Sequence, residues 1–121
     1  MTHDDVQEWL DRYVEAWRSY DEAAIGDLFS EDASYYYDPV GGALEGREAI
    51  VADWLKERDE PGSWQAEYRP LVVEGDRAVA VGRTTYANGR VYENLYVLRF
   101  APDGRCAEFT EWYWRHPGES D

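Results

Sequence analysis

Hydrophobic residues near the start of the chain recur at helical spacing. Val6, Trp9, Leu10, Tyr13, Val14 and Trp17 fall at i, i+3, i+4, i+7, i+8 and i+11, which is one face of a helix. Thr2 and Asp5 have the spacing of a capping pair at its start. A second, short helix is predicted from Asp21 as N-cap, with Ala24, Ile25, Leu28 and Phe29 inward. Ser30, Glu31 and Asp32 break that pattern, and residues 33–37 read as a strand. Asp38-Pro39-Val40-Gly41-Gly42 is a loop signal. A third helix opens at Gly46-Arg47-Glu48-Ala49-Ile50, burying Ile50 and Trp54 with Val51 and Leu55 beside them, and ends at Asp59-Glu60-Pro61-Gly62.

The period then changes to two. Trp64, Ala66 and Tyr68 alternate with Gln65, Glu67 and Arg69, as expected for a half-buried strand. Gly75-Asp76, Asn88-Gly89 and Asp103-Gly104 punctuate the rest at hairpin spacing and leave strands over 77–87, 91–100 and 105–114. Residues 116–121 read as an acidic flexible tail. Helices followed by an antiparallel meander predict one α+β domain over residues 1–121, with the helices on one sheet face. Gly82 in mid-strand lets such a sheet curve. A curved sheet folded over a long helix leaves a cone-shaped hollow, the natural place for a ligand.

Composition sharpens this picture. Six Trp and ten Tyr make an aromatic load suited to cavity walls or an interface, although filling a small core is the plainer use. The formal net charge is −14, and the basic residues are Lys56 and scattered arginines, so nucleic acid and anionic membranes are unfavoured partners. Cys106 is the single cysteine, which fits packing better than nucleophilic or metal chemistry. His3 and His116 lie near the two ends, so no metal and no cofactor is expected. No apolar run approaches the roughly 18 residues of a membrane helix, and no secretory h-region opens the chain; a cytoplasmic protein is expected.

The order of elements resembles the nuclear-transport-factor-2-like superfamily, in its SnoaL-like and ketosteroid-isomerase-like branches. The residues that carry the likeness are Arg12-Tyr13-Val14-Glu15-Ala16-Trp17, Ile25-Gly26-Asp27-Leu28-Phe29-Ser30-Glu31-Asp32-Ala33 and Asp38-Pro39-Val40-Gly41. Gly46-Arg47-Glu48-Ala49-Ile50, Leu98-Arg99-Phe100 and Asp103-Gly104-Arg105 complete it. The resemblance implies a cone-shaped roll of helices on a strongly curved sheet. The superfamily includes isomerases, cyclases, hydrolases, dehydratases and non-catalytic binding modules, so the fold alone does not select among them.

Several residues carry candidate chemistry. Asp38 matches the position of the isomerases' catalytic base, and an Asp before Pro also simply starts a turn. Tyr13 matches their oxyanion-donating tyrosine, or is a core aromatic. Their second donor is a protonated aspartate; here that position holds Tyr96, a departure that tells against steroid isomerisation while leaving a hydrogen-bond donor in place. Phe109, Glu111 and Tyr113 share a strand face that the resemblance turns toward the hollow, where Glu111 would be desolvated and act as an acid–base group. The opposite assignment, with Thr110 and Trp112 inward, is open. Arg83, if inward, needs a carboxylate partner in Glu111 or Asp38; otherwise it belongs to the outer sheet face. Asn94, Tyr96 and Leu98 share a face of the central strand, and Trp17, Tyr35, Tyr37, Trp54 and Tyr68 are candidate walls.

These residues fit a cofactor-independent enzyme acting on a small apolar carbonyl or polycyclic compound. They also fit a non-catalytic module binding a hydrophobic small molecule. The aromatic surplus equally suits a homodimer formed through the outer sheet face.

Overall fold

The computed structural model describes residues 1–117. The tail expected over 116–121 lies, from residue 118, outside the described residues. Helix α1 (His3–Ser19) is closed at its start by a capping box, in which Thr2 Oγ1 accepts from Asp5 N at 3.1 Å and Asp5 Oδ2 accepts from Thr2 N at 2.9 Å. It ends on Tyr20 in the left-handed conformation, whose N–H donates to the Ala16 carbonyl at 2.8 Å. Helix α2 (Glu22–Asp27) follows at once, capped by Asp21 Oδ1 accepting from Ala23 N and Ala24 N. Helix α3 (Arg47–Lys56) buries Ile50, Val51 and Trp54. No described helix is long and apolar enough to cross a membrane.

The strands are β1 (Phe29–Tyr36), β2 (Leu44–Glu45), β3 (Trp64–Glu74), β4 (Arg77–Tyr86), β5 (Val91–Phe100) and β6 (Cys106–Arg115). They form one sheet in the order β2-β1-β6-β5-β4-β3, all antiparallel except the β1–β6 pair. Two features depart from the sequence expectation. Strand β1 begins at Phe29 rather than at residue 33, because the polar run Ser30–Asp32 is accommodated with Glu31 and Asp32 exposed while Phe29, Ala33 and Tyr35 are buried. The short β2 and the parallel pairing of β1 depend on residues far apart in sequence and leave no local pattern.

All three helices lie on the concave side of the sheet. Trp9, Leu10, Ile25, Leu28, Phe29, Ile50 and Leu98 are each at most 2% exposed and fill the narrow end of the cone. Trp9 also satisfies its polar tip, donating from Nε1 to the Leu28 carbonyl at 3.0 Å. On the convex side Val79, Val81, Leu95, Val97 and Trp112 alternate with the inward residues and are half-buried.

The curl has a specific residue behind it. Gly82 pairs with Tyr68 across β3–β4 and with Asn94 across β4–β5. A Cβ at residue 82 would stand 2.1 Å from the Glu67 carbonyl oxygen and 2.2 Å from the Tyr68 ring. The backbone of β3 therefore occupies the space a side chain would need, and only glycine permits this approach. Gly82→Ala is expected to destabilise the fold by about 3 kcal/mol, because the clash is with backbone that cannot swing away. A thermal melt should show the midpoint lowered by roughly 10 °C.

Candidate functional site

Beyond the packed core, toward the end of α1 and the β4–β5 hairpin, helices and sheet form the walls of an open cavity of about 850 Å³. That is the size of a pocket for a small organic molecule. Nine of the ten tyrosines line it, Tyr36 being the exception. Tyr13 and Trp17 reach it from α1, Trp54 from α3, and Tyr35 and Tyr37 from β1. The sheet contributes Tyr68, Asn94, Tyr96, Glu111 and Tyr113. The structure thus brings together eleven of the residues singled out in the sequence, counting Asp38 on the rim.

Three of the candidate residues lie away from the cavity, Arg83 in the outer-face position that the sequence left open. Arg83 points away from the cavity: it is exposed on the outer face, where Nε donates to Glu93 Oε2 at 2.7 Å from the directly opposed position on β5. The inward phase of β4 is instead that of Ala78, Ala80 and Thr84. Leu98 is fully buried in the core beneath the cavity and does not line it. Phe109 likewise lies below the wall, its ring stacked on Tyr35 with centroids 4.4 Å apart and on Tyr13 at 5.6 Å. In both cases the strand phase is as expected, but those positions fall at the narrow end of the cone.

Asp38 is engaged by its own loop. Its Oδ1 accepts from Val40 N at 2.9 Å and also from Gly41 N, the geometry of a turn-initiating aspartate. Glu111 is held differently. It faces Tyr96 across the β5–β6 ladder, lines the cavity, and receives one side-chain hydrogen bond, from Asn94 Nδ2 to Oε2 at 2.8 Å. Burial pushes its carboxyl up to about 7, and the Asn94 bond only partly opposes that shift.

A directed chain of hydrogen bonds backs this carboxylate. An ionised Glu111 can only accept, so Asn94 turns its amide NH₂ toward it and its carbonyl toward Thr84. Thr84 spends its one proton on Asn94 Oδ1 at 2.9 Å, so the 2.6 Å contact between Tyr68 and Thr84 has the tyrosine donating. Thr84 and Asn94 are buried at 3% and 7% exposure, so each unmade bond would be costly. Sequence reasoning missed Thr84, whose signal was its shared phase with Gly82 and Ala80.

The tyrosines are neutral donors. Burial first, and the charge of Glu111 among lesser causes, raises Tyr13, Tyr35 and Tyr96 well above the ordinary phenol value. Tyr68 is pushed up to about 12 by the same burial. Tyr13 and Tyr35 touch through their hydroxyls at 3.2 Å, and both side chains are almost wholly buried. Two hydroxyls carry two protons and that contact uses one, which leaves the other for a further acceptor.

The mouth was not foreseen. Asp53, Glu57, Arg58, Asp59, Tyr20, Tyr86 and Tyr92 ring it, with Asp59 accepting from Trp17 Nε1 at 2.9 Å and Asp53 from Tyr37. Asp53 and Glu57 precede and follow Trp54 on one turn of α3 and its C-cap, so the helix that buries Trp54 carries them to the rim. Cys106 is fully buried, and burial pushes its thiol up to about 12, the state of a packing residue. Among the described residues no three His, Cys, Asp or Glu side chains converge as metal ligands would.

Comparison with known proteins agrees with this architecture. The SnoaL-like domain pattern matches residues 10–109. An NTF2-like protein of unknown function from Burkholderia xenovorans LB400 superposes with a TM-score of 0.72, at 22% identity over 95% of this chain and 89% of its own. A second, from Mesorhizobium loti, gives 0.71 at 24% identity over 93% of each chain. A candidate ketosteroid isomerase from Kribbella flavida DSM 17836 gives 0.73 at 16% identity over 96% of this chain and 82% of its own. At these identities the likeness is one of fold. No functionally curated protein matches the sequence. The domain match over most of the chain places this protein in the SnoaL-like family, and its helices on a curled, unclosed, mostly antiparallel sheet share the fold of the NTF2-like structures.

Proposed function

We propose that this SnoaL-like protein is a cofactor-independent enzyme that moves a proton on a small carbonyl compound bound in the tyrosine-lined cavity. The observation that carries the reading is Glu111: a cavity-lining carboxyl poised near neutrality, with one oxygen held by Asn94 and the other not engaged by that bond. A general base works best when its pKa lies near the working pH. In the proposed step Glu111 removes a proton from the carbon next to the carbonyl. The C–H electron pair forms the enolate double bond, and the carbonyl π pair moves onto oxygen. The spare hydroxyl proton of the Tyr13–Tyr35 pair hydrogen-bonds that oxyanion, with Tyr13 as donor and Tyr35 supporting it from behind. Return of the proton from Glu111 to another carbon completes an isomerisation, and its return to the same carbon is exchange. We assign the base to Glu111 rather than Asp38, because the turn already uses Asp38 Oδ1.

A binding module is the competing reading, favoured by the sheer number of neutral aromatic walls. Solvent-deuterium exchange into β-tetralone, an apolar bicyclic ketone, separates the two when followed by NMR. The enzyme reading predicts protein-dependent exchange that Glu111→Gln lowers about 10³-fold. Tyr13→Phe should lower it about 10²-fold, and Asp38→Asn should change it less than about threefold. Binding without exchange, or exchange indifferent to Glu111→Gln, would support the module instead.

The pH dependence has a definite sign. The base form of Glu111 is the active one, so exchange should rise with pH through about 7 and then level off, because Tyr13, Tyr35 and Tyr96 stay protonated there. Folding stability should run the other way. The folded carboxyl holds its proton more tightly than the unfolded one, so its contribution is complete below about 4.5 and lost as pH rises through about 7. Glu111→Gln should therefore gain on the wild type by roughly 1–2 kcal/mol between pH 4.5 and pH 8, read by urea unfolding at both pH values; partial exposure to the cavity limits the gain.

A further inference from the structure

We propose that the ligand of this cavity carries a positive charge: an organic ammonium with an apolar body, its cationic head taken by the acidic, tyrosine-faced mouth. The proposal rests on the reading of the cavity as the substrate site and names the substrate's class.

Charge and ring geometry both point there. Five carboxylates line the cavity, Asp38, Asp53, Glu57, Asp59 and Glu111, against two guanidiniums, Arg58 and Arg90. Among the described residues, no ion pair of the chain uses Asp53, Glu57, Asp59 or Glu111. The donors to three of them are neutral: the Tyr37 hydroxyl for Asp53, the Trp17 indole for Asp59 and the Asn94 amide for Glu111. Such donors orient a carboxylate without cancelling its charge. A hollow whose lining carries an excess of one sign of charge focuses its field inward.

The walls suit the same ligand. A tyrosine face is the negative pole of its ring quadrupole and attracts a cation within about 6 Å of the centroid. The mouth already contains one such contact, since the Arg58 guanidinium stands over the Tyr20 ring at 5.5 Å from its centroid. Arg58 also donates from Nε to the Leu55 carbonyl at 3.3 Å, so it is tied back to the chain. Tyr86 and Tyr92 pack edge to face at 5.7 Å across the β4–β5 hairpin and extend the aromatic rim on the opposite side. An anionic substrate would meet more carboxylates than guanidiniums, and a neutral one would leave this charge unused.

Three probes of one shape test the idea on the full chain: phenyltrimethylammonium, its neutral isostere tert-butylbenzene, and benzenesulfonate as the anion. Binding is read by titration calorimetry and by NMR shifts, so turnover plays no part. The cation should bind about tenfold tighter than the neutral isostere, and the anion more weakly than either. Raising the salt concentration should weaken the cation and leave the isostere alone. Asp53→Asn/Glu57→Gln keeps the shapes and removes two charges; it should lower cation affinity about fivefold without moving the isostere. Equal affinity for cation and isostere, preference for the anion, or no cation binding up to about 10 mM would overturn the proposal. Cation selectivity without Glu111-dependent exchange would leave this inference standing and remove the catalytic reading. Glu111-dependent exchange without cation selectivity would do the reverse.

Discussion

Taking the Glu111 carboxylate out of water costs hydration energy that one hydrogen bond from Asn94 restores only in part. Much of the chain is arranged around that deficit. Thr84 satisfies the Asn94 carbonyl while the Asn94 amide faces Glu111 as a donor, and Tyr68 donates to Thr84 in turn. Tyr68 reaches that position because β3 lies against β4 at Gly82, with no side chain between them. The curl of the sheet and the state of the carboxyl are thus linked through four residues on three strands.

The same geometry separates structural work from chemical work. At the narrow end, Trp9, Leu10, Leu28, Phe29 and Leu98 exclude water and stabilise the fold. At the wide end the side chains keep polar tips, and the rings of Tyr13, Tyr35 and Phe109 form the boundary by stacking one on another. Phe109 therefore supports the site without touching its contents. The raised proton affinities of the tyrosines follow from the same burial that raises Glu111, so the hydroxyls and the carboxyl are shifted together by one enclosure.

Much of this was legible in the sequence, and the limits have physical causes. The helical stripe from Val6 to Trp17 placed Tyr13 inward, and the alternation around Glu111 gave the choice of two faces that the fold then decides. Where the two faces of a strand are both apolar, alternation does not choose between them. In β4 the bulkier Val79 and Val81 face outward and the small Ala78 and Ala80 face inward, so Arg83 was a candidate for the cavity and Thr84 was not. Strand length along the cone axis is equally hidden: Leu98 and Phe109 have the right face but the wrong depth. The mouth carboxylates read as ordinary solvated positions of α3 and the loop after it, and only the tertiary fold turns them toward the hydroxyl of Tyr37 and the indole of Trp17.

The central claim is that Glu111 changes protonation near neutrality because the aromatic cavity withholds water from it. Following the side-chain carboxyl carbon of Glu111 by NMR across pH, with the signal assigned by its loss in Glu111→Gln, tests this directly. The account predicts a titration midpoint near 7. A midpoint near 4.5, the ordinary glutamate value, would mean that the carboxyl is solvated and would contradict it.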